Sequence, residues 1–325
     1  MNFLLLLLVL GCLQADYLGG FAASSIRYDS DARTQSLGGA TLASPSPGFV
    51  QFSNPAYLHY SSKIVVGLSY FDLPLDRSIQ VSNFIYPLPP KASIGISLFR
   101  AGTDNILGRD NQNNITSNFS SSDLMGMISF GVNFNKKISL GINIKTMISY
   151  IDIETIEAEN YFGNALLVDV AANYMLNKKI FFAFRKNNIS QGLNWKLNFG
   201  DARDPRSYNE IVHSINSIGV SIKPSDYSVI LFQQDFSNPT SSILLSRFKM
   251  GAEFLHKINS SSIAAYRIGF KQKYGLQSNQ STDNINFNIY FGLGIEHLTY
   301  IIDYSLNFGN QNEGFGHLIS CTKKL

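Results

Sequence analysis

Lys145, Asp169, Glu253, Arg267 and Asp303 are the ionisable residues whose neighbours give them a common direction. Each lies in a run where large apolar residues alternate with small or polar ones, and each falls on the small, polar side. A strand sends successive side chains to opposite faces, so these five charges project away from the greasy faces of their strands. Charges arranged in this way can line a polar pathway or gate. They can equally form a structural salt-bridge network, because a charge held away from bulk water must be paired. Glu253, Arg267 and Asp303 lie on runs close enough in order to suit such a network. No enzyme constellation accompanies them. His59, His213, His256, His297 and His317 are scattered without metal-ligand spacing, and no Gly-x-Ser-x-Gly elbow is present. Nothing places a Ser, a His and a carboxylate on neighbouring runs with the specificity a hydrolase would need. The expectation is a protein without catalytic residues, metal or cofactor.

The elements that carry these charges are strands of one kind. Ile285, Phe287, Ile289, Phe291, Leu293 and Ile295 alternate with Asn284, Asn286, Asn288, Tyr290, Gly292 and Gly294. The stripe is about a dozen residues long, which is what a tilted strand needs to cross a bilayer. The pattern recurs. Leu140, Ile142 and Ile144 oppose Gly141, Asn143 and Lys145, and Phe248, Met250, Ala252 and Phe254 oppose Arg247, Lys249, Gly251 and Glu253. Tyr266, Ile268 and Phe270 oppose Arg267 and Gly269, and Tyr300, Ile302, Tyr304, Leu306 and Phe308 oppose Asp303 and Ser305. About fourteen such strands follow from residue 63: 63–71, 76–86, 91–100, 123–134, 138–151, 164–175, 179–186, 213–222, 227–236, 245–256, 262–272, 284–295, 298–308 and 316–323. The segment 227–236 fits either register.

Connections alternate in length. Tight ones (87–90, 135–137, 177–178, 223–226, 257–261, 296–297) take turns with longer ones (101–122, 152–163, 187–212, 237–244, 273–283, 309–315), although the first, 72–75, is short. Outer-membrane barrels have short periplasmic turns and longer external loops. The fold expected is therefore all-β: a membrane-spanning, antiparallel, up-and-down β-barrel with both termini periplasmic. A soluble jelly roll, propeller or sandwich pair would turn its greasy face inward and gives no reason for loops to alternate. Tyr70, Phe71, Tyr86, Phe134, Tyr150, Tyr174, Phe236 and Phe308 lie near strand ends, where aromatic girdles form. Gly292 and Gly294 are candidates for a kink in the wall, since Gly in a strand often marks a bulge.

Composition agrees with a barrel. Charged residues make up 15% and aromatic residues 13% of 325 positions, the net charge is +3, and the mean hydropathy is near zero. That average excludes a polytopic helical membrane protein but not a barrel, whose two faces cancel. No basic cluster or nucleic-acid motif is present. Residues 1–15 contain an apolar run too short to span a bilayer and read as a signal peptide cut after Ala15. Val9-Leu10-Gly11-Cys12 resembles a lipobox, with Leu10 where a smaller residue is usual. If the cut is at Ala15, Cys321 is the remaining thiol and no intramolecular disulfide can form. Residues 16–62 lack strand alternation. Asn54-Pro55 suits a helix start, with Asn54 as cap, and the segment forms either a plug in the barrel mouth or a periplasmic collar. The barrel itself occupies 63–325.

Arg33 with Leu37-Gly38-Gly39-Ala40, then Phe52-Ser53-Asn54-Pro55-Ala56-Tyr57-Leu58, resembles the N-terminal signature of the PorV/PorQ family, which belongs with the FadL-like outer-membrane barrels. Val168-Asp169-Val170, Arg185-Lys186-Asn187-Asn188, Gly251-Ala252-Glu253-Phe254, Arg267-Ile268-Gly269-Phe270, Asp303-Tyr304 and His317-Leu318-Ile319-Ser320 are similar to later family segments in the same order, over about residues 31 to 320. The chain departs at Ser44-Pro45-Ser46-Pro47, where an acidic pair is usual, and at Leu325, where many barrels end in an aromatic residue. The resemblance implies transport of hydrophobic or small molecules across the outer membrane. Alternatively, it implies a non-channel accessory of type IX protein secretion that binds exported cargo at the cell surface. The partners implied are outer-membrane lipids, a hydrophobic small-molecule ligand, and secretion-system proteins or cargo, with no nucleic acid.

Overall fold

The computed structural model describes residues 22–45, 48–154, 159–190, 192–197, 206–240, 243–272, 287–308 and 315–325. The proposed signal peptide, Cys12, the connection 273–283 and the start of the 284–295 stripe lie outside the described residues. Sixteen strands form one antiparallel sheet: β1 (Val65–Leu73), β2 (Arg77–Leu88), β3 (Ala92–Arg109), β4 (Ile115–Asn133), β5 (Ile138–Glu154), β6 (Glu159–Asn177), β7 (Ile180–Ser190), β8 (Leu193–Leu197), β9 (Arg206–Glu210), β10 (Ile215–Ser225), β11 (Ser228–Thr240), β12 (Ile243–Lys257), β13 (Ser262–Gln272), β14 (Phe287–His297), β15 (Tyr300–Phe308) and β16 (Phe315–Lys324). Fourteen of them close a barrel through the β1–β16 ladder, Val65↔Lys324 to Asp72↔His317. The other two, β8 and β9, form a hairpin that extends the wall beyond β7 and β10 and pairs with β6.

The alternation read from sequence is the inside–outside alternation of this wall. Leu68, Ile96, Ile144, Leu293 and Ile302 are half or more exposed, or nearly so, on the outer face. Ser97, Ser129, Asn143, Ser221 and Ser305 are buried inside. Closure pairs β1 with β16 and so removes the free edges of the sheet, which is what a strand structure needs in hydrocarbon. Phe71 departs from the girdle expected of it: it is buried in the lumen, because its parity matches Ser69 and Gly67 rather than Tyr70. The 227–236 ambiguity resolves with Leu231, Gln233 and Asp235 inside.

The long connections expected at 101–122 and 152–163 are mostly strand. β3 and β4 stay paired out to Arg109↔Ile115, and β5 and β6 out to Ile153↔Glu159. Polar, Ser- and Asn-rich stretches pair as readily as apolar ones once neighbouring strands hold them in register, and composition alone does not reveal it.

The N-terminal segment is a plug and not a collar. A 3₁₀ turn (Ser24–Arg27), α1 (Ala32–Ser36), α2 (Val50–Ser53) and a 3₁₀ helix (Pro55–Tyr60) lie inside the barrel. Ala32, Leu37, Ala56 and Leu58 are fully or almost fully buried there. Asp31 caps α1 by accepting from Thr34 N at 2.9 Å, and Asn54 caps the Pro55 helix by accepting from Ala56 N at 3.0 Å. A cap of this kind is worth about 1 kcal/mol. Wall glycines are the counterpart of this packing. A Cβ on Gly141 would lie 2.2 Å from Ala56 N, and one on Gly269 would lie 2.1 Å from Gly38 N. Gly38 itself has φ 64, a conformation that glycine adopts without strain.

Candidate functional site

Three features meet in the lumen: charge networks, an apolar track and an interruption of the wall. Lys145, Asp169, Glu253, Arg267 and Asp303 are all buried, and they separate into two groups. Glu253 joins plug to wall. It accepts from Arg33 Nε and Nη2 at 3.0 and 2.8 Å and from Arg267 Nε at 2.7 Å, while Arg267 Nη1 reaches Asp303 Oδ1 at 2.7 Å. All three wall residues are buried, and Arg33 adds a bond to Ser44 Oγ at 3.0 Å. Lys145 and Asp169 form the second group, 2.6 Å apart.

Two further clusters did not emerge from sequence. Asp235 holds Arg247 and Lys249 at 3.2 and 2.8 Å. Its strand carries Gln233, Gln234 and Asp235 in succession, which hides which face is inward. Lys271 reaches Asp29 of the plug at 3.1 Å. Burial opposes ionisation of Asp29, but the surrounding Lys271, Lys249 and Arg247 outweigh it and hold its carboxyl below the usual carboxylate range. Asp31 goes the other way, raised by burial that its Thr34 bonds only partly offset.

The signature residues have distinct places. Arg33 joins Glu253, and Gly38 sits on the backbone of Phe270. Gly39 lies against Asp29, and a Cβ there would come within 2.8 Å of its Oδ1. Asn54 donates to Leu42 O at 2.8 Å and to Asn173 Oδ1 at 2.7 Å. Pro55 and Ala56 rest on Gly131 and Gly141. The plug is thus keyed into the wall by backbone contact and by ion pairs.

No kink occurs at Gly292 or Gly294. β14 pairs continuously with β13 from Phe287↔Gln272 to His297↔Ser262, and with β15 from Tyr290↔Asn307 to His297↔Tyr300. These glycines make room instead: a Cβ on Gly292 would meet Ser36 of the plug at 2.2 Å, and one on Gly294 would meet Asp303 Oδ1 at 2.2 Å. The wall is interrupted at β6, β7 and β10. Between Val168↔Ile189 and Val170↔Lys186 the register shifts, so that Asn187 and Asn188 both stand opposite Asp169. The β7–β10 ladder ends at Asn187↔Ile215, and the β8–β9 ladder begins at Leu193↔Glu210. Among the described residues, 188–190 and 211–214 make no ladder with each other. Asn188, at φ 54, is fixed in this bulge. Its N–H donates to Asp169 Oδ1 at 2.9 Å, its Oδ1 accepts from Lys145 Nζ at 2.7 Å, and its Nδ2 donates to His213 O at 3.3 Å. The Lys145–Asp169 pair therefore holds the wall interruption in place.

An apolar track runs round the inner wall to this point. Val81, Phe99, Met125, Met147 and Ala165 are successive cross-strand neighbours on β2 to β6, and all are buried. The track continues into Leu167, Leu193 and Val212, with Ala22 and Ala23 of the plug packed on it and Trp195 beside it. Outside the same spot lies a groove of about 780 Å³ lined by Ile148, Phe162, Leu166, Val168 and Ile189, and also by Met147 and Ala165. Met147 and Ala165 thus face the inner cluster and border the outer groove.

No protein-family model and no curated protein matches the sequence. Solved structures do match. The "CymD monoaromatic hydrocarbon channel" superposes with TM-score 0.66 at 13% identity, covering 91% of this chain and 97% of that one. The Pseudomonas putida toluene transporter TodX gives 0.63 at 11% identity, with 92% and 98% covered. A Pseudomonas aeruginosa FadL homologue gives 0.58 at 10% identity, with 91% and 98% covered. The first of these neighbours is described as a channel and the second as a transporter. The chain has the plugged, fourteen-stranded barrel fold of the FadL type.

Proposed function

We propose that this barrel lies in the outer membrane with both termini periplasmic, and that it passes small hydrophobic molecules from its lumen sideways into the bilayer through the β6–β7–β10 interruption. The observation that carries the reading is the apolar track from Val81 to Ala165, which ends where Met147 and Ala165 also border the outer groove. Methionines at 125 and 147 suit this use, because flexible, polarisable side chains repack around varied apolar shapes. Hydrophobic cargo of the kind named for the structural neighbours, monoaromatic hydrocarbons included, fits a route lined in this way. Ala22, Ala23 and Ile26 cover the track, so passage requires the top of the plug to shift.

The test is toluene uptake into proteoliposomes by the wild type and by Ala165→Phe, which places a ring at the end of the track. Uptake above that of protein-free vesicles, abolished by Ala165→Phe, is the expected result. Equal uptake by both proteins refutes the lateral route. Trp195, the one tryptophan of the chain, packs beside the track and supplies a fluorescence readout of ligand arrival.

A second reading, a PorV/PorQ-type accessory that holds exported cargo for type IX secretion, is favoured by the long paired extensions. β3–β4 carries exposed Ile106, Leu107 and Ile115, and the β9 side carries exposed Tyr208 and Ile211. Affinity purification from native outer membrane separates the readings: recovery of secreted proteins in stoichiometric amount, without toluene uptake, supports the accessory.

A further inference from the structure

Arg100 faces outward. On β3 the outward positions run Ile94, Ile96, Leu98 and then Arg100, and the three apolar residues are exposed. The cross-strand row through Arg100 reads Ile319, Tyr70, Gln80, Arg100, Leu124 and Ile148. The next row, toward the long extensions, is polar: Asp72, Ser78, Gly102, Ser122. Arg100 therefore stands at the rim of the apolar band, where hydrocarbon gives way to headgroups.

The side chain does not stretch into water. Its guanidinium lies over Gly102, where a Cβ would be 3.1 Å from Nη2, and it donates to Gln80 Oε1 at 3.1 Å and to Ser122 Oγ at 3.5 Å. Both partners are neutral, and among the described residues no carboxylate pairs with it. A cation fixed in place at a membrane rim without a counter-charge is matched by an anion presented from the membrane side.

Below the guanidinium the wall is hollow. The row beneath contains Cys321, Leu68, Ser82, Leu98, Gly126 and Thr146, four of them small. They floor an open, mostly apolar groove of about 740 Å³ bounded by Tyr70, Leu124, Ile148 and Ile319, with Arg100 and Gln80 among its lining residues. Its size lies within the ~300–1,000 Å³ of ordinary ligand pockets.

We propose that this outward groove is a binding site for a phosphate-bearing lipid of the surrounding membrane, with the phosphate on the Arg100 guanidinium and an acyl chain along the groove over Ser82, Gly126 and Thr146. An apolar channel with a fixed cation at the headgroup level matches both halves of such a molecule, and a guanidinium fork matches phosphate oxygens. The site rests on the membrane-spanning reading of the barrel and not on its cargo, so lipid retention by a protein without uptake activity leaves this proposal standing and removes only the transport reading.

The experiment is native mass spectrometry of the full-length mature protein released from nanodiscs of equal phosphatidylglycerol and phosphatidylcholine. Three variants are compared, each first shown to keep the heat-modifiable mobility of a folded barrel. Arg100→Gln removes the cation and is expected to lower phosphatidylglycerol retention about tenfold, the loss of roughly one charge-assisted contact. Gly126→Phe fills the groove floor while keeping the Arg100 side chain, since a Cβ there meets only Thr146 Oγ1 at 3.5 Å, and it should lower retention of the same lipid. Lys186→Gln removes a different outward cation, on β7, and should change nothing. Equal retention of the two lipids by the wild type, unchanged retention in Arg100→Gln or in Gly126→Phe, or an equal loss in Lys186→Gln overturns the proposal.

Discussion

Adding one methyl group at Gly141 should dislodge the plug. The new Cβ would lie 2.2 Å from Ala56 N, 2.4 Å from Pro55 C and 2.7 Å from Ala56 Cα. All three are backbone atoms of the plug, so no rotamer change relieves the overlap. Ordinary contact begins at 3.4 Å, so wall and plug must part by about 1 Å or more, and interiors packed to crystal density do not absorb such a shift. The wall strand is paired on both sides, Gly131↔Gly141 and Gly141↔Ala171, so the plug is the part that gives. Overpacking of this kind costs about 1–3 kcal/mol, and at the upper end it shifts a docked-to-undocked equilibrium by roughly 150-fold. Gly126→Ala is the matched control: it adds the same methyl to the adjacent strand on the outer face, where the nearest atom is 3.5 Å away. Protease protection of the N-terminal segment, measured in detergent micelles with single-channel conductance alongside, reports the docked fraction. Gly141→Ala should lose protection and open more often, and Gly126→Ala should match the wild type. A Gly141→Ala protein with wild-type protection, or equal loss in both variants, refutes the argument that wall glycines exist to seat the plug.

Other outcomes follow from the ion networks and the plug. Glu253→Gln turns a carboxylate that accepts three Arg N–H bonds into an amide whose NH₂ faces donors; breaking a buried pair costs about 3–5 kcal/mol, and a clear fall in the midpoint of heat-induced mobility change on gels should result. Lys145→Met leaves the Asp169 carboxylate at the wall interruption without its cation, and should speed hydrogen exchange at 187–189 while the double variant Lys145→Met/Asp169→Asn recovers wild-type rates. His59, on the plug, has its pKa lowered below 6.5, first by burial, with its Ala56 carbonyl bond partly opposing. The unfolded state then binds more protons than the folded one below about pH 6.5, so the His59 contribution is complete above that pH and is lost as pH falls toward the folded value. Plug protection should therefore weaken on acidification from pH 7 to pH 5, and His59→Gln should flatten that dependence.

The barrel is legible strand by strand, because period-two alternation is a property of each strand alone. Where Leu140, Ile142 and Ile144 alternate with Gly141, Asn143 and Lys145, one face must be greasy and the other not, whatever the neighbours do. The inward direction of Lys145, Asp169, Glu253, Arg267 and Asp303 follows from the same parity, as does the helix start at Asn54-Pro55 from local capping chemistry. Which of these groups meet is settled in the folded molecule. Glu253 pairs with Arg33 across 220 residues of chain, and Lys145 holds Asn188 as well as Asp169. Asp235 stayed hidden because Gln233, Gln234 and Asp235 put polar residues on both faces in succession, and the long extensions stayed hidden because pairing, not composition, makes them strands. The glycines at 292 and 294 carry the same lesson. In a strand read alone a missing side chain suggests a bend, whereas in the folded barrel it is space that Ser36 and Asp303 already occupy. The actual interruption lies at Asn188, where a register shift between β6 and β7 creates it, and register is a relation between strands that no single strand contains.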